Sequence, residues 1–225
     1  MVNTVGTTIK EINKSKPKNA YFLKGNDYFL QDFFIKNLNK KFDENLTPVY
    51  LNLEEDDDIK ILLNSTSNNL LFYSKNIYVI RNFSKIKTND KEEIISSCNL
   101  ENNDNVLIFI VDDFYAKNVF FKELSKHAIV VDTRTPFPNK IKEWVNYILS
   151  KKGLIVNSSY LNDIVASHGD DISNILSEID KIYLYTNNNK IDSNNKLVSD
   201  YINRGIRPWN LLDAIGSKNL EKSIK

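Results

Sequence analysis

Cysteine is almost missing from this chain of 225 residues, with Cys98 standing alone. One thiol excludes an internal disulfide framework and suits a reducing compartment. With only His127 and His168 beside it, a Cys-rich zinc site is excluded as well. No apolar run approaches the length of a membrane span, and the opening MVNTVGTTIKEINKSKPKN has no signal-peptide apolar core. The expectation is a cytoplasmic protein with no membrane partner. An excess of either charge is missing too. Thirty Lys and Arg face 29 Asp and Glu, for a net charge of +1, so no global electrostatic case for nucleic-acid binding exists, although a local basic face remains possible. The last absence is a glycine-rich turn. Gly25-Asn-Asp-Tyr-Phe-Leu-Gln-Asp32 carries one glycine and no Gly-Lys-Ser/Thr, with Phe29 and Leu30 where a phosphate turn would lie.

What is present is ordinary globular material, 41% hydrophobic and 26% charged, with length enough for two compact domains. Residues 1–18 read as a basic, solvated lead-in (Lys10, Lys14, Lys16, Lys18) with a short helix around Ile9 to Ile12. Ala20 to Lys24 is a first strand, and Asn26 or Asp27 caps a helix whose Leu30, Phe34, Leu38 and Phe42 recur every four residues, with Phe33 beside them. Thr47 to Leu53 is a second strand. The acidic run Glu54 to Asp58 opens a helix, where negative charge suits the dipole. Consecutive acids diverge around a helix axis, so a solvated cap is preferred over a metal site. Ile77 to Ile80 forms a third strand, apolar on both faces, and Asn105 to Val111 and Ala128 to Asp132 form the fourth and fifth. Helices fall between them at Lys91 to Ser97, capped by Asn89 or Asp90, and at Asn118 to Lys126. This alternation predicts an α/β domain with a five-stranded parallel sheet and flanking helices.

Thr133 to Asn139 holds two prolines and breaks the pattern. Beyond it the reading is helical throughout. The stripe Ile141, Trp144, Val145, Ile148, Leu149 ends at Gly153. Ser158 caps a second helix carrying Leu161, Ile164 and Val165. Asp170 or Asp171 caps a third, with Ile172, Ile175, Leu176, Ile179, Ile182 and Tyr183 on one face. A short helix around Lys196 to Ile202 follows a polar loop, and Pro208 opens a last segment with Leu211, Leu212 and Ile215.

An α/β domain followed by a helical one invites comparison with nucleotide-driven ATPases, yet the chemistry is missing. The third strand ends in Arg81-Asn82 rather than in acids. Asp112 and Asp113 follow the fourth strand but have no phosphate loop to work with. Gly205-Ile206-Arg207 is a weak match to a phosphate-sensing arginine, and neither histidine is paired by motif with a nucleophile. No catalytic residue, cofactor or metal is expected. One surface feature remains. Leu70, Leu71, Phe72 and Tyr73 form an apolar run just before the third strand. They are either presented to solvent on a connecting loop or turned inward to staple a helix end to the core.

Six stretches together resemble one known family, the delta subunit of bacterial DNA polymerase III. They are Tyr21 to Phe29, Leu71 to Asn82, Val130 to Thr135, Lys140 to Trp144, Glu178 to Tyr185 and Trp209 to Gly216. Their order and spacing carry the match and cover most of residues 20–216. The resemblance implies an AAA+-like domain over residues 1–139 without a working nucleotide site. It implies a helical lid over 140–206 and the start of a helical collar at 207–225, where the chain stops. It also implies a clamp-loader subunit with no catalytic site of its own, in a family that forms part of a DNA polymerase holoenzyme. Such a subunit binds the sliding clamp (beta subunit) and opens it for loading onto DNA. Other loader subunits join through the collar, and DNA is met in the assembled loader. Family members wedge the clamp with an exposed Leu-Phe pair, which here matches Leu71 and Phe72, so surface presentation is the expectation. Tyr73 departs from the small residue that often follows the pair. The alternatives are an active ATPase of the same fold or a nucleic-acid-binding scaffold.

Overall fold

The computed structural model describes residues 2–42, 46–66, 76–83, 86–99, 105–169, 171–186, 190–191 and 216. The chain divides into two compact units, Met1–Thr135 and Pro136–Lys225. The expected helix around Lys196 to Ile202 and the segment from Pro208 to Ile215 lie outside the described residues, as does Gly205-Ile206-Arg207.

In the first unit the chain runs β1 (Asn3–Thr4), α1 (Val5–Lys14), β2 (Ala20–Lys24), α2 (Tyr28–Phe42), β3 (Val49–Asn52) and α3 (Asp56–Thr66). It continues through β4 (Ile77–Arg81), α4 (Thr88–Cys98), β5 (Val106–Val111), α5 (Val119–His127) and β6 (Ile129–Asp132). All strand pairings are parallel, in the order β1-β6-β2-β5-β4-β3. The central strands β2, β4 and β5 are buried on both faces because helices cover both. Phe22, Tyr78, Ile80, Leu107 and Phe109 pack with Leu62, Ile94, Phe120, Phe121 and Leu124 of α3, α4 and α5. The alternate residues, Tyr21, Leu23, Ile77, Val79 and Ile108, are equally buried and belong to the opposite face. There Tyr21 meets Phe34 of α2 edge-on, with ring centroids 5.2 Å apart.

Phe83 is the hub of the first face. Its ring lies edge-on to those of Phe109 and Phe121 at 5.5 and 5.4 Å, and to those of Phe22 and Phe120 at 6.2 and 6.1 Å. It reaches that place because Asn82 turns the chain in the left-handed region, at φ 57°, a conformation Asn tolerates better than most residues. The Asn82 side chain donates to Asn52 Oδ1 at 3.0 Å.

The N-terminal segment corrects the sequence reading. Instead of a solvated arm, Asn3–Thr4 pairs with Val131–Asp132, so the sheet has a sixth, two-residue strand. Thr4 caps α1 by accepting from Thr7 N at 3.3 Å. Val5, Ile9 and Ile12 are buried and α1 packs on α2. The apolar spacing of three and four was present but masked by the lysines on the outer face. Two further points concern caps and bounds, the first a correction and the second a choice between the two expected caps. α4 begins at Thr88 after Lys87, with no side-chain cap from Asn89 or Asp90. Asp27, not Asn26, caps α2, its Oδ1 accepting from Leu30 N at 2.9 Å.

The second unit carries α6 (Pro138–Lys152), α7 (Ser158–His168) and α8 (Ile172–Thr186). Gly153 closes α6 with φ 71°. Asn157 rather than Ser158 caps α7, accepting from Ser159 N at 2.8 Å, and Asp171 caps α8 through Asn174 N at 2.9 Å. Ile141, Val145, Leu149, Leu161, Ile175 and Ile179 are among its buried core residues, and Lys152 bridges α6 to Asp180 of α8 at 2.6 Å. The unit is not wholly helical. β7 (Ile155–Val156) pairs in parallel with β8 (Lys190–Ile191).

Candidate functional site

In an open parallel sheet a ligand crevice forms at the C-terminal ends of the strands, where the connections diverge. Here that point is β2. The chain leaves it through α2 for the far edge at β3, and later passes over it from β5 to β6. The rim of this point is built by Gly25, Asp27, Tyr28 and Gln31 after β2, Arg81 at the end of β4, Asp112 and Asp113 after β5, and Thr133 and Arg134 after β6.

These residues satisfy one another. Gln31, 1% exposed, donates from Nε2 to the Gly25 carbonyl at 2.7 Å and to Asp112 Oδ1 at 3.1 Å. Its Oε1 accepts from Arg81. Arg81 also pairs with Asp112 Oδ1 at 3.0 Å, and the Tyr28 hydroxyl donates to Asp112 Oδ2 at 3.3 Å. The arginine therefore crosses the place over the β2–α2 turn, held by a carboxylate and an amide. Asp113 forms a local turn, Oδ1 accepting from Tyr115 N at 2.8 Å.

The turn itself is closed against β6. Gly25 N–H donates to the Val111 carbonyl at 3.0 Å, Asp27 N–H to the Thr133 carbonyl at 3.0 Å, and Thr133 N–H to the Lys24 carbonyl at 2.8 Å. The Thr133 hydroxyl donates to the Gly25 carbonyl at 3.3 Å. Gly25 sits at φ 136°, and a Cβ there would lie 2.3 Å from Arg134 N and from Thr133 C. The lysine on this rim is not aimed at the turn. Lys24 Nζ donates to the Ala116 carbonyl at 3.2 Å and lies near the rings of Phe22 and Phe114. Burial lowers its pKa, and Asp113 opposes that shift. Arg134 grips Asp132 with Nε and a terminal nitrogen, the latter at 2.6 Å, and stacks 3.7 Å over Phe114.

A nucleoside triphosphate does not fit this arrangement. A phosphate cradle needs free N–H groups at a helix N-terminus. Here the Asp27 carboxylate already occupies the first turn of α2, and Asp112 adds a second negative charge to the rim. The turn has no slack to open, because the Thr133–Arg134 backbone is packed against Gly25.

The remaining sequence candidates fall elsewhere. Leu71 and Phe72 lie outside the described residues. His127, at the opposite end of α5, accepts or donates through Nδ1 to Asn99 at 2.9 Å and through Nε2 to Glu123 at 3.3 Å. His168 Nδ1 pairs with the Ile164 carbonyl at 3.1 Å. In the acidic run, Asp58 accepts from Asn52 N at 2.6 Å and Asp57 pairs with Lys60 at 2.9 Å. No three His, Cys, Asp or Glu side chains converge on a metal position among the described residues. No helix among them is long and apolar enough to cross a membrane. Sequence reasoning weighed Arg81 and Asp112 separately and missed that Gln31 joins them. The available signal was a charged residue ending each of two neighbouring parallel strands, with a lone amide in the first turn after a third.

No family model matches the sequence, and no curated protein matches it. Among solved structures the chain resembles the DNA clamp loader delta protein of Bacillus subtilis, at a TM-score of 0.69 and 14% identity, over 98% of this chain and 69% of that one. Domain III of the replication initiation protein DnaA of Thermotoga maritima aligns at 0.49 and 15% identity, over 88% of this chain and 90% of that one. A RuvB variant of Thermotoga maritima aligns at 0.47 and 9% identity, over 94% and 74%. The chain thus shares the α/β fold of the Bacillus subtilis structure, a parallel sheet flanked by helices, and the likeness is one of fold alone.

Proposed function

We propose that this chain is a clamp-loader subunit that binds the DNA polymerase sliding clamp and opens it for loading onto DNA, working without a nucleotide of its own. The observation that carries this reading is the filled rim. In this reading the Arg81–Gln31–Asp112 network and the closed Gly25 turn stand where a triphosphate would be held, which argues against motor chemistry. The chain retains a scaffold suited to protein partners. The likeness of fold to a clamp loader delta protein over nearly the whole chain supports the choice of partner. In this reading Leu71 and Phe72 are the clamp anchor, residues 140–206 act as a lid, and 207–225 begin the collar through which other loader subunits assemble around DNA. Burying each anchor side chain in a partner pocket contributes about 1.5–3 kcal/mol.

An active ATPase is disfavoured by the closed turn, and a nucleic-acid scaffold by the net charge of +1. The test is binding of the purified chain to the sliding clamp of the same organism, measured by surface plasmon resonance. Saturable binding that Phe72→Ala weakens without lowering the melting temperature supports the proposal. No binding, or binding untouched by Phe72→Ala and Leu71→Ala together, defeats it.

A further inference from the structure

Beside the rim, Lys24 lines a pocket of about 540 Å³, a volume within the range of ligand sites. Ala116, Val119 and Phe121 form its apolar part, and Lys117 and Lys122 line it as well. Strand and helix order put these groups together. Lys24 ends β2, and the chain between β5 and α5 brings Ala116 and Lys117 beside it. Phe22 and Lys24 are two residues apart in one strand, so both face the side of the sheet on which Phe121 packs.

The amine of Lys24 is held without a carboxylate. Nζ donates to the Ala116 carbonyl at 3.2 Å and lies 5.7 and 5.6 Å from the ring centroids of Phe22 and Phe114. Those ring faces attract the ammonium. Burial acts the other way and lowers the pKa; Asp113 opposes that shift and Lys117 adds to it. Desolvation and a second cation nearby are what make a lysine nucleophilic. Once neutral, the amine keeps one N–H on the Ala116 carbonyl and still has its lone pair to offer. Lys117 and Lys122 are exposed, and neither forms an ion pair among the described residues. Their charges are available to an anion. The first turn of α5 is not, because Asn118 Oδ1 already accepts from Phe121 N at 2.7 Å.

A reagent suited to this pocket brings a carbonyl carbon for the amine and an anion for the two lysines. An acyl phosphate has both, and its leaving group is the same anion that the lysines hold. We propose that Lys24 is an acylation site whose donor is a small acyl phosphate, its phosphate held by Lys117 and Lys122. The Lys24 lone pair attacks the acyl carbon and a C–N bond forms. The C–O bond to phosphate breaks, phosphate leaves with the electron pair, and the proton on the attacking nitrogen passes to water. The product is a neutral amide, so acylation removes the Lys24 charge from the pocket. The chemistry does not depend on a clamp partner.

The test treats the purified chain with acetyl phosphate and, separately, with the N-hydroxysuccinimide ester of acetic acid, which has no phosphate. Peptide mapping by mass spectrometry gives the rate at each lysine. Near neutral pH, Lys24 is expected to react about fivefold faster than exposed Lys10 and Lys87, an advantage that closes towards pH about 10 as ordinary lysines lose their protons. The advantage is larger with acetyl phosphate than with the ester. Lys117→Gln/Lys122→Gln removes that excess with the melting temperature unchanged, and Lys117→Arg/Lys122→Arg, which keeps the charges, retains it. Equal rates at Lys24, Lys10 and Lys87 with acetyl phosphate overturn the proposal. A Lys24 advantage that is the same with both reagents, or an excess that Lys117→Gln/Lys122→Gln leaves intact, overturns it as well, because the amine is then reactive without a phosphate site.

Discussion

Gly25→Ala probes the filled rim most directly. Two penalties add at this position. The backbone sits at φ 136°, a region L residues rarely adopt, which costs about 1–3 kcal/mol. The new methyl would stand 2.3 Å from Arg134 N and 2.6 Å from the Thr133 carbonyl oxygen. Those are backbone atoms that cannot rotate away, and such overpacking costs about 1–3 kcal/mol more. Together they remove about 4 kcal/mol, and in a chain of this size the melting midpoint falls by about 10 °C. Gly153→Ala is the control. It too has positive φ, 71°, but nothing lies within 4 Å of its Cβ, so only the left-handed penalty of about 1–2 kcal/mol applies. Differential scanning calorimetry on both variants separates close approach from backbone strain. If Gly25→Ala melts within about 2 °C of Gly153→Ala, the turn is not packed against β6. The argument that it has no room for phosphate then fails.

Phe83→Ala removes the ring that four others surround and is expected to cost about 3–5 kcal/mol in urea unfolding; a loss below about 1 kcal/mol would place that ring outside the core. Isothermal titration with Mg-ATP should give no heat of binding at micromolar concentrations, and a measurable turnover would contradict the closed turn. Phe72→Ala and Leu71→Ala are each expected to weaken clamp binding more than tenfold, about 1.4 kcal/mol, while leaving the melting temperature nearly unchanged. Burial pushes the Cys98 thiol from 9.0 up to about 12. The folded chain thus holds a proton that the unfolded chain releases above pH about 9. The stability from this group is fully present below that pH and is lost as pH rises towards the folded value. A thiol reagent at pH 8 should react with Cys98 only after unfolding, and prompt labelling of the native chain would refute the burial.

The sheet was legible where the chemistry is local. Ala20 to Lys24, Ile77 to Ile80 and Asn105 to Val111 are apolar on both faces, and only a strand covered on both sides accommodates that. Of α1 only a short helix around Ile9 to Ile12 was legible; its full extent and its burial were not, because Lys10 and Lys14 alternate with Val5, Ile9 and Ile12 and lower the mean hydropathy of the segment. Nor were the β1 and β7–β8 pairings, which are two residues long and follow from tertiary contact rather than from any local preference. The rim network is harder still. Gln31, Arg81 and Asp112 are 50 and 31 residues apart, and strand order alone brings them together. The absence of a phosphate loop was readable from the residues at the first strand–helix junction. What fills its place was not.

The pairing of Asn3–Thr4 with β6 bears on how this protein is handled. A recombinant form started after Lys14 would bare the outer N–H and C=O groups of Val131–Asp132, together with the surface that Val5, Ile9 and Ile12 cover. An open strand next to an uncovered apolar surface is a template for another copy of the same strand. Shortened chains should accumulate as inclusion bodies, and any purified fraction should elute earlier from a sizing column as it is concentrated. A fusion partner is better joined through a flexible spacer ahead of residue 1, so that its bulk does not pull the first strand off the sheet.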